Sequence, residues 1–334
     1  MTAGEPVDGG PGTPGVRPFR FLADPGGITD GPSLRESARR AESIGYHVLV
    51  YPDHVVVPFG FVPLLSTVAA VTDRLRVAPF VANNDLRHPA LLAQDLATLD
   101  VLSGGRVEVA IGAGWNEPEY SALGIRFEPV GVRVSRLAEA VAVLKGCFGD
   151  GPFSFAGEHY VITGHDGQPA PVQKPHPPLF IGGGGKRILT LAAREADTVG
   201  LAPRTLPTTD GGDIVRSDPR SITIAATEEK LGWIREAAGA RSGSLEINVY
   251  PTGGPPLLTD HARKAAADVL DRIRARTGVE VDVDDYLASP HVFIGSVDGL
   301  VAKFAELRER LGISSFMVGD VDTLAPVVER LSGF

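Results

Sequence analysis

The feature that most constrains this chain is a recurring pair, a short apolar run followed by a stretch with apolar residues at helical spacing, met eight times. The runs begin near residues 19, 47, 75, 107, 178, 197, 244 and 314. FRFLA (19–23), HVLVY (47–51), LRVAPFV (75–81) and VEVAIG (107–112) are followed by helical patterns at 33–44, 63–71, 89–102 and 132–148. PLFIGG (178–183), DTVGLA (197–202), residues 244–250 and SSFMV (314–318) come next, with helical patterns at 186–195, 228–240, 260–277, 298–311 and 323–331. Runs that are apolar throughout, rather than alternating, mark strands buried on both faces, as in a parallel sheet covered by helices. Eight such α/β units in one chain predict a closed (β/α)8 TIM barrel rather than an open sheet. FSFAGEHYVIT (153–163) alternates about Gly157 and Glu158 and reads as a hairpin inserted outside the barrel rhythm. HVFIG (291–295) reads as a short strand outside the eight, and the Pro-, Gly- and Asp-containing segment 203–220 as a long loop.

Residues 1–18 are dominated by Gly and Pro and are expected to be a disordered tail, leaving 19–334 as a single domain. A formal net charge of −9 argues against a nucleic-acid or anionic-membrane partner. No apolar run reaches the roughly 18 residues of a membrane span. The N-terminus lacks the basic-then-apolar order of a signal peptide, so a cytoplasmic location is expected. Cys147 is the only cysteine, which excludes a disulfide within the chain; in AVAVLKGCF it reads as a small core residue.

In such a barrel the chemistry sits at the C-terminal ends of the strands. There the sequence offers Asp53 and His54 after the second run, Ala82 and Asn83 after the third, and Gly112, Ala113, Gly114, Trp115 and Asn116 after the fourth. After the fifth come Gly182, Gly183, Gly184 and Gly185, then Lys186 and Arg187. Four glycines remove every Cβ between a strand and a helix, so backbone N–H groups can approach a ligand, and the helix N-terminus and two bases add positive charge. That combination reads as a phosphate cradle; the competing reading is a tight turn needing one or two glycines. It matches neither a P-loop nor the dinucleotide fingerprint. His54 is the acid/base candidate, since imidazole titrates near neutral pH, against a structural role in the loop; Asp53 could orient it. Gly112 to Gly114 permit close approach of a flat group and Trp115 offers an aromatic wall, against simple rim packing. His88, before Pro89 at a helix start, reads as a capping or packing residue, and His47 and His261 as structural. His159, His165 and His176 are scattered, so no metal site is expected. There is no Gly-x-Ser-x-Gly elbow for acyl hydrolysis.

The segments RHPALLAQDLATLDVLSGGRVEVAIGAGW (87–115) and PVQKPHPPLFIGGGGKRILTLAAREAD (171–197) resemble the luciferase-like monooxygenase superfamily. YPDH (51–54), TEEKLGWIREAAG (227–239) and FIGSVDGLVAKFAELRERLGISSFMV (293–318) resemble a subgroup described as probable coenzyme F420-dependent oxidoreductases of actinobacteria. The resemblance implies a luciferase-like barrel holding a flavin-like ring at the strand ends, with F420 as cofactor and FMN as the alternative. It places His54 near the reactive ring carbon. It places the phosphate on Gly182 to Gly185 with Lys186 and Arg187, and Asp53, Ala82, Asn83, Gly112, Ala113, Gly114 and Asn116 about the cofactor. Phe59, Phe61 and Trp115 would line the substrate side. A non-proline cis peptide is expected near Ala82 and Asn83. Some similar dehydrogenases carry a glutamate base just after the fourth strand; Trp115 stands there, so that acid/base pair is expected to be absent and sugar-phosphate oxidation is disfavoured. The implied activity is hydride transfer to or from a small organic substrate, with reduction of C=C, C=O or C=N favoured. The alternatives are an FMN-dependent monooxygenase fed by a separate reductase, and a non-catalytic cofactor-binding barrel. A homodimer is expected by analogy, with residues 203–220 and 251–258 covering the mouth.

Overall fold

The computed structural model describes residues 17–206 and 217–332; the expected tail lies outside them except for Arg17 and Pro18, as does the middle of the 203–220 loop. The strands are β1 (Arg20–Asp24), β2 (Val48–Tyr51), β3 (Arg76–Pro79), β4 (Ala82–Asn83), β5 (Val109–Gly112), β6 (Phe153–Ala156), β7 (Val161–His165), β8 (Leu179–Gly183), β9 (Thr198–Leu201), β10 (Glu246–Val249), β11 (Leu257–Leu258), β12 (Ile294–Gly295) and β13 (Ile313–Asp320). Nine of them form one parallel sheet in the order β3-β2-β1-β13-β10-β9-β8-β5-β4. Val77 also bridges in parallel to Val107, beside β5, so the sheet curls into a nearly closed barrel. All eight expected strands are present, but the third is broken. β3 pairs with β2 and β4 pairs with β5, and the non-proline cis peptide expected near Ala82 and Asn83 lies between the two, at Phe80–Val81.

The helices follow from local signals. His88 accepts the N–H of Ala90 at the head of the helix Pro89–Ser103, with Pro89 in its first turn, and Gly104 (φ +69°) stops it. The expected cap at His88 is therefore observed. The helix expected from 228 starts at Ile224, because Thr223 accepts the N–H of Ala226 and caps it there. A short helix, Glu117–Ala122, intervenes after β5 where none was expected. The hairpin β6–β7 is antiparallel, as its alternation predicts. Cys147 is buried, which pushes its thiol up to about 11. Among the described residues no helix is long and apolar enough to cross a membrane.

At the N-terminal ends of the strands a polar network crosses the barrel. Arg20 of β1 pairs with Glu108, which precedes β5, and with Glu246 of β10 at 2.6 Å. β1 and β5 are not neighbours in the sheet, so this contact spans the interior. Arg76 of β3 reaches Glu108 at 2.6 Å and the Gln173 amide at 2.7 Å, and Thr198 donates to Glu246. Burial alone would raise the Glu108 pKa, but the charges and hydrogen bonds of Arg20 and Arg76 outweigh it and hold the carboxyl below the usual range.

Between β10 and the helix Val297–Leu311 the chain leaves the barrel. It builds a small cap from β11, the helices Ala262–Thr277 and Val283–Ala288, and β12, which pairs in parallel with β11. The run 291–295 thus finds its partner in a segment read as loop. The cap has its own core of Ala266, Tyr286, Val292 and Ile294, joined by Ile222. Lys303 ties it to the barrel helix by donating to the carbonyls of Leu287 (2.5 Å) and Val292 (2.6 Å). Burial of the ammonium pulls its pKa down to about 7.

Two outcomes follow from these buried charges. Glu108→Gln leaves two guanidinium groups facing a neutral amide and is expected to cost about 3 kcal/mol in urea denaturation at pH 7. Its folded pKa is depressed, so the wild-type advantage is full above the unfolded carboxyl value of about 4.3 and fades as pH falls below it. Lys303 gives a slope of the same sign in a higher window. Between about 7 and the unfolded value of about 10.4, the unfolded chain holds the proton that the folded chain has lost. Stability contributed there rises with pH, and Lys303→Met should flatten the slope between pH 7 and 9. Lys230, pulled down to about 8 by burial, leaves a residual slope of the same sign.

Candidate functional site

At the opposite end of the barrel, β2 delivers Asp53 and His54 beside the broken third strand. One carboxylate oxygen of Asp53 accepts the backbone N–H of Asn83 (3.0 Å) and the Arg87 guanidinium (2.7 Å). Arg87 in turn lies over the Phe61 ring, 4.7 Å from its centroid. His54 Nδ1 lies 2.7 Å from Oε2 of Glu119, whose other oxygen accepts the Val55 N–H at 3.1 Å. The Glu119 side chain is wholly buried, while His54 keeps about a quarter of its surface open. The Trp115 ring meets the His54 ring edge-on at 5.5 Å and is itself 54% exposed.

Tyr120, next to Glu119, closes the arrangement. Its hydroxyl sits 3.0 Å from Asn83 Oδ1 and 3.1 Å from Asp85 Oδ2. Burial pushes it up to about 12, so it serves as a donor. Asp85 is also held by Arg136 at 2.8 Å. Arg133 donates to the carbonyls of Ala113 and Gly114 and stacks on Phe127, 4.0 Å from the ring centroid. The loop 112–114 is thereby gripped from behind.

The glycines divide into two kinds. Gly114 has φ +72°, and a Cβ there would run into the Tyr120 hydroxyl and lie 2.7 Å from Asn83 Oδ1. A Cβ on Gly112 would lie 2.8 Å from Val81, one on Gly183 would hit Ile188, and one on Gly184 the backbone of Pro203. These positions are glycine because protein fills the space. Gly185 differs, for a Cβ there meets nothing within 4 Å. It heads the helix Lys186–Glu195 with no side-chain cap, so the first-turn N–H groups point outward without a side-chain partner. Arg187 leans toward Gly131, its guanidinium 3.1 Å from the Cβ position, and Lys186 lies 3.5 Å from Glu236. An uncapped, open helix start with two adjacent bases is a physical fit for a phosphate.

The structure therefore brings Asp53, His54, Asn83, Gly114 and Trp115 together. Asn116 heads the helix Glu117–Ala122 just beyond them, without a side-chain cap bond. Ala82 and Ala113 are buried, and Phe61 lies in the core at 1% exposure, so it offers no surface to a substrate, whereas Phe59 is half-buried at the edge. Glu119 is the residue the sequence reading missed. Trp115 does displace a glutamate immediately after the strand, yet a carboxylate reaches the histidine from one turn further on. The acidic run of Glu117 and Glu119 in WNEPEY was its only trace. Among the described residues no group of three or more His, Cys, Asp or Glu is placed to hold a metal ion.

Comparison with known proteins agrees with this architecture. The chain is 30% identical over 169 residues to an FMNH(2)-dependent dimethylsulfone monooxygenase of Pseudomonas putida, across 49% of this chain and 46% of that protein. It thus spans about half the length of that relative. The coenzyme F420-dependent tetrahydromethanopterin reductase of Methanopyrus kandleri superimposes with a TM-score of 0.73 at 19% identity, over 94% of this chain and 98% of that one. The EDTA monooxygenase of Chelativorans sp. BNC1 does so with a TM-score of 0.73 at 14% identity, over 95% of each. At these identities the two structures speak for the fold. Residues 16–215, well over half the chain, match the family described as luciferase-like monooxygenase, and the chain belongs to that family.

Proposed function

We propose that the protein is a deazaflavin-dependent oxidoreductase that passes a hydride between F420 and a small organic substrate, with reduction of a C=C, C=O or C=N bond favoured. The observation that carries this reading is His54 backed by the buried Glu119 at the mouth of the barrel. Moving a hydride to such a bond leaves an anion that needs a proton, and a partly open imidazole is the group to hold it. Glu119 accepts from Nδ1 and fixes the ring orientation, which leaves Nε2 as the atom that gives or takes the proton. A bound deazaflavin supplies two-electron hydride chemistry. Its phosphate would be held by the N–H groups at Gly185 and by Lys186 and Arg187, with Gly182, Gly183 and Gly184 shaping the turn. Asp53, Ala82 and Asn83 shape the floor, Gly112 to Gly114 and Asn116 form the wall, and Trp115 and Phe59 border the substrate side and exclude water.

A second reading is an FMN-dependent monooxygenase supplied by a separate reductase; the similarity to the FMNH(2)-dependent monooxygenase favours it. A homodimer acting on a small molecule fits either reading.

Calorimetric titration with F420 and FMN is the test. Micromolar F420 binding with weak FMN binding is the expected result. His54→Ala should then lower kcat by roughly 10²-fold or more with F420 affinity nearly unchanged. Glu119→Gln should lower kcat less. Preference for FMN with substrate-coupled oxygen uptake would transfer the assignment to the second reading. Full turnover by His54→Ala would remove the proton role, and binding of neither cofactor would remove the phosphate assignment.

A further inference from the structure

The loop from β2 to the helix Phe61–Val71 departs from what surface loops are made of. After His54 it reads Val-Val-Val-Pro-Phe-Gly (55–60), and the first charged or hydrogen-bonding side chain beyond His54 is that of Ser66. Connecting segments are ordinarily rich in Asn, Asp, Ser and Gly, whose side chains or backbone freedom suit water and tight turns. A run without one polar side chain is stabilised only where its apolar groups find contacts.

Part of the run finds them within the chain. Val57 and Phe59 pack against the barrel core. Val55 and Val56 are instead 48% and 74% exposed. The loop is tied down where it presents them, since the Val55 N–H donates to Glu119, the same carboxylate that holds His54. From the loop after β5 the exposed Trp115 ring meets the His54 ring edge-on. Scattered exposed apolar residues are ordinary, but several grouped about one spot mark a contact surface. Here the spot is an imidazole with a quarter of its surface open. The charged residue nearest to Trp115 in the chain is Glu117, which is exposed.

We propose that the substrate taken at His54 is a neutral molecule with an aliphatic body, which lies along Val55, Val56 and Trp115 while its reacting bond meets the imidazole. This rests on the reading of His54 as the proton-handling group and adds the class of compound that it serves. Val55 is the next residue after His54, so a substrate whose reducible end reaches the ring has its remainder beside the valines. Two β-branched side chains offer no hydrogen bond, and their grip grows with the apolar area that they cover. An anionic body would gain nothing from them and would face Glu117 and a net charge of −9.

The test is binding of 2-pentanone, 2-heptanone and 2-nonanone to the full chain as purified, with nonanoate as the anionic counterpart, read by tryptophan fluorescence. Affinity is expected to rise about two- to threefold with each added methylene, and nonanoate to bind much more weakly than 2-nonanone. The double variant Val55→Ser/Val56→Ser alters two exposed side chains and should weaken 2-nonanone at least about fivefold while leaving 2-pentanone within about twofold. Val56→Leu keeps the apolar surface and should bind 2-nonanone as the wild type does. Binding rather than turnover is measured, so the two readings fail separately. A protein that refuses F420 yet shows this series loses the deazaflavin assignment and keeps the apolar site, and one that binds F420 with a flat series does the reverse. The proposal is overturned by a flat series, by nonanoate binding as tightly as 2-nonanone, or by full 2-nonanone affinity in the serine pair. In that last case a fall in mass by light scattering would make the valines a face between copies of this chain.

Discussion

The bond from the Asn83 N–H to the Asp53 carboxylate is the interaction on which the candidate site rests. It lies where the third strand breaks, with β3 bound to one neighbour and β4 to the other. Phe80 in the gap still donates its N–H to the Tyr51 carbonyl (2.8 Å), and beyond it the Asp53 side chain does the joining. From Asp53 the connections run in a ring. Asn83 meets Tyr120, Tyr120 follows Glu119 in the chain, Glu119 holds His54, and His54 follows Asp53. Two peptide links and three hydrogen bonds thus fix the histidine from both sides. All members but the partly open His54 are buried, which makes the bonds worth more than at the surface and makes a missing partner costly.

The barrel was legible because its strands are buried on both faces, and that burial writes continuous apolar runs such as HVLVY and VEVAIG. His88 and Gly104 could be read as helix punctuation for the same reason, since capping is local. The break at Phe80–Val81 was not legible, because LRVAPFV carries one uninterrupted apolar pattern across both halves. Glu119 was hidden by distance. It is 65 residues from His54 and sits on a helix of six residues, too short to show a period. The glycines were visible, but their reasons were not. Four in a row suggested an open cradle, whereas only Gly185 opens onto empty space and Gly183 and Gly184 make room for Ile188 and Pro203. Phe61 was misplaced because an aromatic residue near a loop looks alike in sequence whether it faces a ligand or the core.

Family membership and site geometry answer different questions here. The fold is shared by proteins that use deazaflavin and proteins that use reduced flavin, and barrels tolerate such divergence because chemistry is carried by strand-end loops. What this chain places at and beside those loops is local, namely Trp115 against His54, the buried Glu119 behind it, and a cap on the β10 loop with its own small core.

The ionic plug of Arg20, Glu108, Arg76 and Glu246 has a kinetic consequence. It joins Arg20 to Glu108 across 88 residues of chain and to Glu246 across 226, so it is complete only once the strands that carry these residues have met, and its hold bears on how slowly the closed barrel comes apart.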